Sequence, residues 1–356
     1  MKAVRIHEFG GPDRVQLEEV DTPKVTRGKA LVRIHAAGVN PVDWMVREHQ
    51  YNPKGADRVP LTLGQDFAGV IEKIGPGSKT PLREGDEVFG EVFGSFAEYA
   101  LVPVKDLVKK PRSLDFNVAA ALPMPALTAW QAIIDTAKAK PGMRFLIHGA
   151  SGGVGSFAAQ FARWKGAEVA ATASAPSLDY LRSLGVDPVI DYKRERFEKK
   201  VRDVDVVLDP LGGETQARSW GVLKRGGMLI TLIGEIDEKA AKHAGVRAVD
   251  FGMEYDVKDL EEIAALVESG AIRPHIAKVL PLEQARQAMD LNQQGKSHGK
   301  IVLEVGSDQP RTAKTASTST ATPQGRPFTP TETRVCLPAS PNTARNSSEA
   351  PLITLE

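Results

Sequence analysis

The chain has 356 residues, and its 46 lysine and arginine residues nearly balance its 45 aspartate and glutamate residues, which leaves a formal net charge of +1. A chain of this length usually forms two domains and can bury a large hydrophobic core. Its balanced charge argues against nucleic acid or an acidic membrane surface as the main partner. The single cysteine, Cys336, excludes a disulfide framework and a zinc site made of several thiolates.

No stretch of the sequence has the pattern of a membrane-spanning or secretory segment. All apolar runs are shorter than the roughly 20 residues that a transmembrane helix needs. Residues 1–8 alternate as in a β-strand and lack the apolar core of a signal peptide. We therefore expect a cytoplasmic protein without a membrane partner.

Residues 1–112 are rich in short β-type segments separated by glycine and proline. Examples are residues 30–36, 68–74, 87–89 and 98–102. Many short strands with frequent turn signals are typical of a β-barrel or β-sandwich. This part of the chain is therefore predicted to form an all-β domain.

From residue 113 the pattern changes to helices that alternate with short buried strands. The strands are predicted at residues 145–147, 169–172, 189–190, 204–208 and 228–233. Such alternation predicts a parallel sheet with right-handed crossovers. Gly149, Pro210 and Gly234 follow three of these strands, at the carboxyl edge where ligands bind in such sheets. We therefore include Gly234 in the predicted cofactor site.

A glycine-rich turn lies between the first of these strands and the helix that follows it. Its core, Ala150-x-Gly152-x-x-Gly155, is the dinucleotide-binding fingerprint with alanine in the first glycine position. In such a turn the backbone approaches a pyrophosphate, and the first N–H groups of the helix point at it. The predicted cofactor-binding residues of the turn are Ala150, Ser151, Gly152, Gly153, Val154 and Gly155. A purely structural glycine turn is the alternative.

The last ordered elements are predicted to be a helix at residues 282–291 and a strand at residues 300–305 that returns to the first domain. Residues 307–356 are rich in Thr, Ser, Pro, Ala and Arg, and we expect a disordered tail. The predicted fold is therefore α/β. A barrel-like domain (residues 1–112 and 273–306) is interrupted by a doubly wound, Rossmann-type domain (residues 113–272).

Several short motifs, spread over about residues 1–305, occur together in one family. They are residues 1–4 (MKAV), 37–43 (AGVNPVD), 63–70 (LGQDFAGV), 85–89 (GDEVF), 94–99 (GSFAEY), 127–131 (LTAWQ), 148–155 (HGASGGVG) and 299–303 (GKIVL). This set resembles the zinc-independent quinone oxidoreductase branch of the medium-chain dehydrogenase/reductase family. The resemblance implies a GroES-like catalytic domain, a Rossmann NADP-binding domain and a homodimer. For the dimer contact we expect edge strands near residues 228–233.

The sequence departs from the zinc-dependent alcohol dehydrogenases of that family at each metal-binding position. Asn40 stands where those enzymes carry a cysteine, and Gln65 stands where they carry a histidine. Their third ligand, a cysteine, falls near Met124 of this chain. Because Asn, Gln and Met do not supply the ligand set that zinc prefers, the comparison implies catalysis without a metal.

The resemblance also assigns roles to three residues near the reacting end of the cofactor. Asn40 is expected to face the nicotinamide and to bind a substrate carbonyl, although it could simply be a turn residue before Pro41. Tyr51 matches a tyrosine at the mouth of the substrate cleft, where a phenol could donate a proton or form only an aromatic wall. Thr128 matches a threonine under the nicotinamide ribose, or it caps the start of a helix.

The residue after the second strand of the cofactor domain predicts the choice of cofactor. Ser174 follows the glycine turn by about 20 residues, where an NAD-preferring enzyme carries a carboxylate. A carboxylate would repel a 2′-phosphate and serine would not, so the sequence predicts NADPH, unless Ser174 only caps the next helix. By resemblance Tyr192 lines the adenosine phosphate pocket, and Lys193 and Arg194 follow it. Many members carry a lysine directly after the serine, where this chain has Ala175.

Together these features predict an NADPH-dependent reductase that transfers hydride to a quinone or an α,β-unsaturated carbonyl compound. The cofactor supplies the chemistry, and the protein orients and polarises the substrate. Two alternatives remain open at this point. One is a protein that holds NADPH with little turnover, and the other is an enoyl reductase of a lipid or polyketide pathway.

Overall fold

The N-terminal part of the chain forms antiparallel strands, as its short β-type segments predict. The computed structural model describes residues 1–306 except 54, 55, 57 and 296, so the predicted tail at residues 307–356 lies outside the described residues. The strands are β1 (Lys2–Ile6), β2 (Gln16–Glu19), β3 (Lys29–Val39), β4 (Leu61–Thr62), β5 (Asp66–Ile74), β6 (Glu87–Glu91), β7 (Tyr99–Pro103) and β8 (Val108–Lys109). One helix, α1 (Pro41–Arg47), follows β3 directly.

The middle of the chain alternates between strands and helices. Its strands are β9 (Arg144–Ile147), β10 (Glu168–Ala173), β11 (Val189–Asp191), β12 (Val204–Asp209), β13 (Leu223–Thr231) and β14 (Arg247–Asp250). Its helices are α2 (Phe116–Ala120), α3 (Pro123–Trp130), α4 (Gly153–Trp164), α5 (Leu178–Ser183), α6 (Gly213–Ser219), α7 (Glu238–Ala244) and α8 (Val257–Glu268). The last elements are β15 (Ile276–Pro281), α9 (Ala285–Gln293) and β16 (Lys300–Glu304).

Strands β9 to β14 form a parallel sheet in the order β11-β10-β9-β12-β13-β14. This order is that of a doubly wound dinucleotide-binding sheet, in which the direction of winding reverses beside the first strand. The reversal lies at β9, between β10 and β12. Ligands of such sheets bind in the crevice outside the carboxyl ends of the strands at this point.

A second, mostly antiparallel sheet has the order β15-β16-β3-β5-β6-β8, with β7 paired to β3, and β1 lies between β2 and β4 in a small separate sheet. Strand β16 pairs with β3 in antiparallel register, which confirms that the chain returns to its first sheet. These sheets enclose a core that includes Phe67 and Phe96. The core around the parallel sheet includes Phe145, Phe157 and Phe161.

The structure corrects three expectations about the strands. Two strands return to the first sheet rather than one, because β15 pairs with β16. Strand β13 ends at Thr231 and lies between β12 and β14, so residues 228–233 do not form a sheet edge. The edges are β11 and β14, and the sequence does not reveal β14 because its four residues lack a buried apolar pattern. Among the described residues, no helix is long and apolar enough to cross a membrane.

Candidate active site

A cavity of about 530 Å³ opens at the carboxyl ends of the parallel strands. Residues from both sheets line it. They include Asn40, Ser151, Gly152, Gly153, Val154, Gly155, Ser174, Tyr192, Leu211, Arg218, His298 and Lys300. The cavity lies where the switch point of the doubly wound sheet predicts a ligand.

The glycine turn that lines this cavity has its left-handed residue at Gly149, where φ is +56°. Ala150, which occupies the first glycine position of the fingerprint, is fully buried, and its N–H donates to the carbonyl oxygen of Thr172 at 3.1 Å. A Cβ atom on Gly155 would lie 2.5 Å from the carbonyl oxygen of Gly149. Alanine is therefore tolerated at position 150 because the neighbouring glycine makes the turn, whereas Gly155 must be glycine for the helix to pack closely.

Helix α4 begins directly at this turn, with Gly152 as its N-cap and without an acidic residue in its first turn. The free N–H groups and the dipole of a helix N-terminus favour an anion. Because Gly152 and Gly153 have no side chains, a pyrophosphate could approach the backbone here. The turn thus fits the diphosphate of a dinucleotide.

Ser174 and Tyr192 lie on the same cavity wall, after β10 and β11. Ser174 is buried and makes no capping hydrogen bond to the 3₁₀ turn at Ala175–Ser177, so the structure does not support the capping alternative. Its Oγ lies 3.4 Å from His298 Nδ1. Tyr192 is exposed. The wall therefore offers hydroxyl groups and an imidazole, without a carboxylate at position 174.

The cations that follow Tyr192 are partly engaged elsewhere. The Nε of Arg194 lies 3.8 Å from Asp191 Oδ2. The ammonium of Lys193 lies 6.0 Å from the centre of the Tyr192 ring. Lys193 therefore lies beside the part of the cavity wall that Tyr192 forms.

Asn40 lies in a buried polar cluster on the other side of the cavity. Ile301 pairs with Val39, so the preceding residue of β16, Lys300, lies next to Asn40. Gly38 pairs with Asp66, which places the Asp66 carboxyl group of β5 beside them. Asp66 is fully buried. Its Oδ2 accepts from Asn40 Nδ2 at 2.8 Å and from Lys300 Nζ at 2.9 Å. Two strand registers therefore build the cluster.

Lys300 determines the orientation of the Asn40 side chain. Its Nζ donates to Asn40 Oδ1 at 2.5 Å. An ammonium group has no acceptor, so the atom that faces it must be the amide oxygen. The amide nitrogen then faces Asp66, and its second contact, to the carbonyl oxygen of Gly38, is long at 3.5 Å. One N–H of Asn40 is thus bound firmly and the other only weakly.

Two more buried carboxyl groups lie near this ion pair. Burial raises the pKa of Asp43 to about 8, against the hydrogen bond that Asn40 N donates to its Oδ2 at 2.7 Å. Burial, followed by the charge of Asp66, also raises the pKa of Glu91, which pairs directly with Asp66 across β5 and β6. At neutral pH Asp43 and Glu91 are therefore mainly protonated, next to the ion pair of Asp66 with Lys300.

The residues of this cluster do not fit a zinc ion. Zinc in proteins takes Cys, His, Asp or Glu as ligands, usually four in a tetrahedral set. Asn40 and Lys300 are not such ligands, and the Lys300 ammonium already occupies the acceptor atom of Asp66 that faces it. Across the part of the chain that the structure describes, no group of three or more His, Cys, Asp or Glu side chains could hold a metal.

Four of the predicted site residues do not line the cavity. Tyr51 is half exposed, and its backbone N–H donates to the carbonyl oxygen of Met45. Thr128 lies inside α3, where its Oγ1 donates to the carbonyl oxygen of Met124 at 2.7 Å, so it does not cap the helix start. Gly234, with φ of +85°, and the buried Ala150 are also absent from the cavity wall.

His148 lines the cavity but is held as a neutral structural side chain. Its ring nitrogens lie 3.0 Å from Thr172 Oγ1 and 2.9 Å from Ser219 Oγ. Burial, helped by the charge of Arg218, lowers the pKa of this imidazole to about 3. His148 is therefore uncharged in the pH range of most enzymes, and both of its ring nitrogens already have hydrogen-bond partners.

Sequence reasoning did not predict the contact of Lys300 with Asp66 or that of His298 with Ser174. A lysine at the start of an otherwise apolar strand, in the GKIVL motif, was the available signal for Lys300. Its partner Asp66 lies 234 residues away in sequence, so spacing alone could not reveal the pair. His298 carries no sequence signal that separates it from an ordinary loop histidine.

Comparison with known proteins agrees with this architecture. Residues 26–112 match the alcohol dehydrogenase GroES-like domain, and residues 184–303 match a zinc-binding dehydrogenase family. Quinone oxidoreductase of Rattus norvegicus is 33% identical over 325 residues, which cover 85% of this chain and 97% of that protein. The chain belongs to the quinone oxidoreductase branch of the medium-chain dehydrogenase/reductase family.

Two further members of this group show its breadth. The 2-methylene-furan-3-one reductase of Solanum lycopersicum is 34% identical over 319 residues, which cover 85% of this chain and 79% of that protein. The Escherichia coli quinone oxidoreductase, whose structure contains NADPH, superposes with a TM-score of 0.80 at 25% identity, covering 85% of this chain and all of that one. The chain is therefore an oxidoreductase of the medium-chain type with a GroES-like domain, and a nicotinamide cofactor fits its cavity.

Proposed function

We propose that the protein transfers a hydride from NADPH to a quinone or an α,β-unsaturated carbonyl compound, without a metal ion. The observation that carries this proposal is one cavity lined both by the glycine turn with Ser174 and by Asn40 with Lys300. The first set suits a dinucleotide, and the second supplies buried polar groups beside it. The names of the rat and tomato relatives support these two substrate classes.

The chain's own residues would hold NADPH at two places. The N-terminus of α4 and the bare backbone of Gly152 and Gly153 would bind the pyrophosphate. Ser174 and Tyr192 would meet the adenosine end, where the absence of a carboxylate favours a 2′-phosphate. When bound, the cofactor supplies the hydride.

Asn40 is the donor that we assign to the substrate carbonyl. Its weakly used N–H, which makes only the 3.5 Å contact to Gly38, is the one that would donate to a substrate oxygen atom. Negative charge develops on that oxygen as hydride arrives, and a preorganised donor stabilises it. The Lys300 ammonium holds the amide in place and adds a positive charge beside it. Tyr51 is the second candidate donor. We rank it below Asn40 because Tyr51 does not line the cavity.

A turnover screen tests this proposal. NADPH oxidation would be followed with 1,4-benzoquinone, 9,10-phenanthrenequinone, a short 2-alkenal and a simple ketone. We expect turnover with the quinones or the alkenal and little with the ketone, since no metal ion polarises a simple carbonyl. Tight NADPH binding without turnover on any acceptor would instead favour a cofactor-binding protein. Selective turnover of acyl thioester enones would favour an enoyl reductase.

Metal independence is tested separately. Elemental analysis of the purified protein should find far less than one zinc per chain, and chelators should leave activity unchanged. We expect this because two residues of the cluster, Lys300 with its ammonium group and Asn40 with its amide, are not zinc ligands. One tightly bound zinc per chain together with chelator-sensitive activity would overturn this part of the proposal.

A homodimer is also proposed, from the family resemblance, and so is the cytoplasmic location that the sequence led us to expect. Strand β14 pairs with β13 on one side and ends the parallel sheet among the described residues. It is therefore one of the two edge strands, with β11, at which a second copy could extend the sheet, and we propose β14 for this contact. Analytical ultracentrifugation of the wild type and of Val249→Pro, which disrupts strand pairing at this edge, tests the contact.

A further inference from the structure

His298 lies beside Ser174 on the cavity wall, although the two come from different parts of the fold. Ser174 follows β10 of the parallel sheet, whereas His298 lies just before β16 of the other sheet. Their side chains approach to 3.4 Å between Oγ and Nδ1, across 124 residues of sequence. The wall around Ser174 is therefore completed by the domain that does not carry the glycine turn.

The position of Ser174 indicates which part of a bound dinucleotide this wall would face. In a doubly wound dinucleotide site the residue at the end of the second strand contacts the 2′ position of the adenosine ribose. A phosphate there presents several anionic oxygens, which bind best to cationic or N–H donors. Ser174 supplies one hydroxyl group, and Ala175 after it supplies no charged group. A further donor is needed for a 2′-phosphate.

Two nearby arginines are already paired. Arg218 lines the cavity but donates to both carboxylate oxygens of Glu198, at 3.0 and 2.6 Å. Arg194 lies 3.8 Å from Asp191. The structure gives no carboxylate partner to His298, whose contact within the described residues is the Ser174 hydroxyl. Its imidazole therefore contacts Ser174 directly and can meet an anion there.

The backbone fixes this placement. His298 has a left-handed conformation with φ of +49°, and Gly299 follows with φ of +150°. A Cβ atom on Gly299 would lie 2.6 Å from His275 Cδ2, so only glycine fits between the two segments. Lys300 N donates to the carbonyl oxygen of His275 at 2.8 Å and anchors the start of β16. The histidine is therefore held at the wall by its neighbours.

We propose that His298 binds the 2′-phosphate of NADPH together with Ser174 and so contributes to the choice of NADPH over NADH. This inference rests on the proposed use of NADPH. Ser174 Oγ–H can donate to Nδ1, which leaves Nε2–H to donate to a phosphate oxygen, and a protonated ring adds its positive charge. The specificity for the phosphate would then depend on both domains.

Binding measurements test the assignment without any substrate. Dissociation constants for NADPH, NADH, 2′,5′-ADP and 5′-AMP would be measured by calorimetry for the wild type and His298→Asn. Asparagine tolerates the left-handed backbone and removes the imidazole. We expect NADPH and 2′,5′-ADP to weaken by about tenfold, as for the loss of one charge-assisted hydrogen bond, with NADH and 5′-AMP unchanged. His243→Asn, an exposed histidine on α7, is the matched control.

The outcomes separate the two proposals. A wild type that binds NADH as tightly as NADPH would contradict the proposed cofactor use itself. A wild type that prefers NADPH, with the same preference in His298→Asn, would overturn only the role of His298. Equal weakening of all four ligands would also overturn it, because it would indicate a structural effect. His298→Arg should keep the preference for NADPH, since a fixed cation replaces the imidazole.

Discussion

The Nζ of Lys300 lies 2.9 Å from Asp66 Oδ2, and both side chains are almost fully buried. This ion pair joins the first residue of β16 to the first residue of β5, and Asp66 Oδ1 also accepts from Met124 N at 3.0 Å, at the start of α3. One carboxylate therefore links the two strands that hold Asn40 to the helix that leads into the cofactor domain.

Removing the ammonium should destabilise the protein strongly. Lys300→Met leaves Asp66 buried without its cation, and such a loss typically lowers the free energy of unfolding by about 3–5 kcal/mol. Lys300→Met combined with Asp66→Asn removes both charges and should recover at least half of the loss. Urea unfolding at pH 7 of the wild type, both single variants and the double variant measures the coupling. Additive effects of the two substitutions would contradict a direct interaction.

Asn40 and Tyr51 should differ sharply in their effect on turnover. Asn40→Ala removes the proposed donor to the carbonyl oxygen and should lower enone turnover by about 10²–10³, with the dissociation constant of NADPH little changed. Tyr51→Phe removes only a hydroxyl group outside the cavity wall and should change turnover by less than about threefold. Steady-state kinetics with a 2-alkenal and thermal melting of each variant are the measurements. A large loss in Tyr51→Phe would make Tyr51 the donor instead.

Asp43 should make the protein less stable as the pH rises. Its pKa is raised by burial to about 8, above the usual value of 3.8, so its stabilising contribution is complete below pH 4 and is lost as the pH rises through 8. Asp43→Asn keeps an acceptor for Asn40 N and cannot ionise. We expect the variant to exceed the wild type in free energy of unfolding by several kcal/mol at pH 8.5 and to match it near pH 4.

Urea unfolding at several pH values tests the Asp43 prediction, with Asp21→Asn as the matched control because Asp21 is exposed. Parallel pH profiles for the wild type and Asp43→Asn would show that Asp43 ionises in the folded protein as it does in the unfolded chain.

Ser174→Asp should shift the cofactor preference toward NADH. A carboxylate at the end of β10 would repel a 2′-phosphate and could accept hydrogen bonds from the ribose hydroxyls. The ratio of the NADPH and NADH dissociation constants should change by at least about tenfold. Ser183→Asp adds the same charge at an exposed position on α5 and should leave the ratio unchanged. An unchanged ratio in Ser174→Asp would mean that the 2′ group lies elsewhere.

The sequence by itself determined the glycine turn, the alternation of strands and helices, and the absence of zinc ligands at three positions. These features depend on patterns within a few residues. Examples are the fingerprint from Ala150 to Gly155 and the short apolar runs that form β9 and β12. Turn geometry and side-chain periodicity are local properties, and a window of a few residues contains all that they need. The strand at residues 247–250 was missed because its burial is slight and its pattern is weak.

Only the tertiary structure decided which polar groups meet. Lys300 contacts Asp66 across 234 residues and His298 contacts Ser174 across 124 residues, and no spacing in the sequence marks either pair. The contact of Lys300 with Asp66 depends on strand register, since a shift of one residue in the pairing of β16 with β3 would turn Lys300 to the other face of the sheet. Register is set by the packing of the whole sheet against its core. The contacts between the polar side chains of the site could therefore not be predicted from the sequence alone.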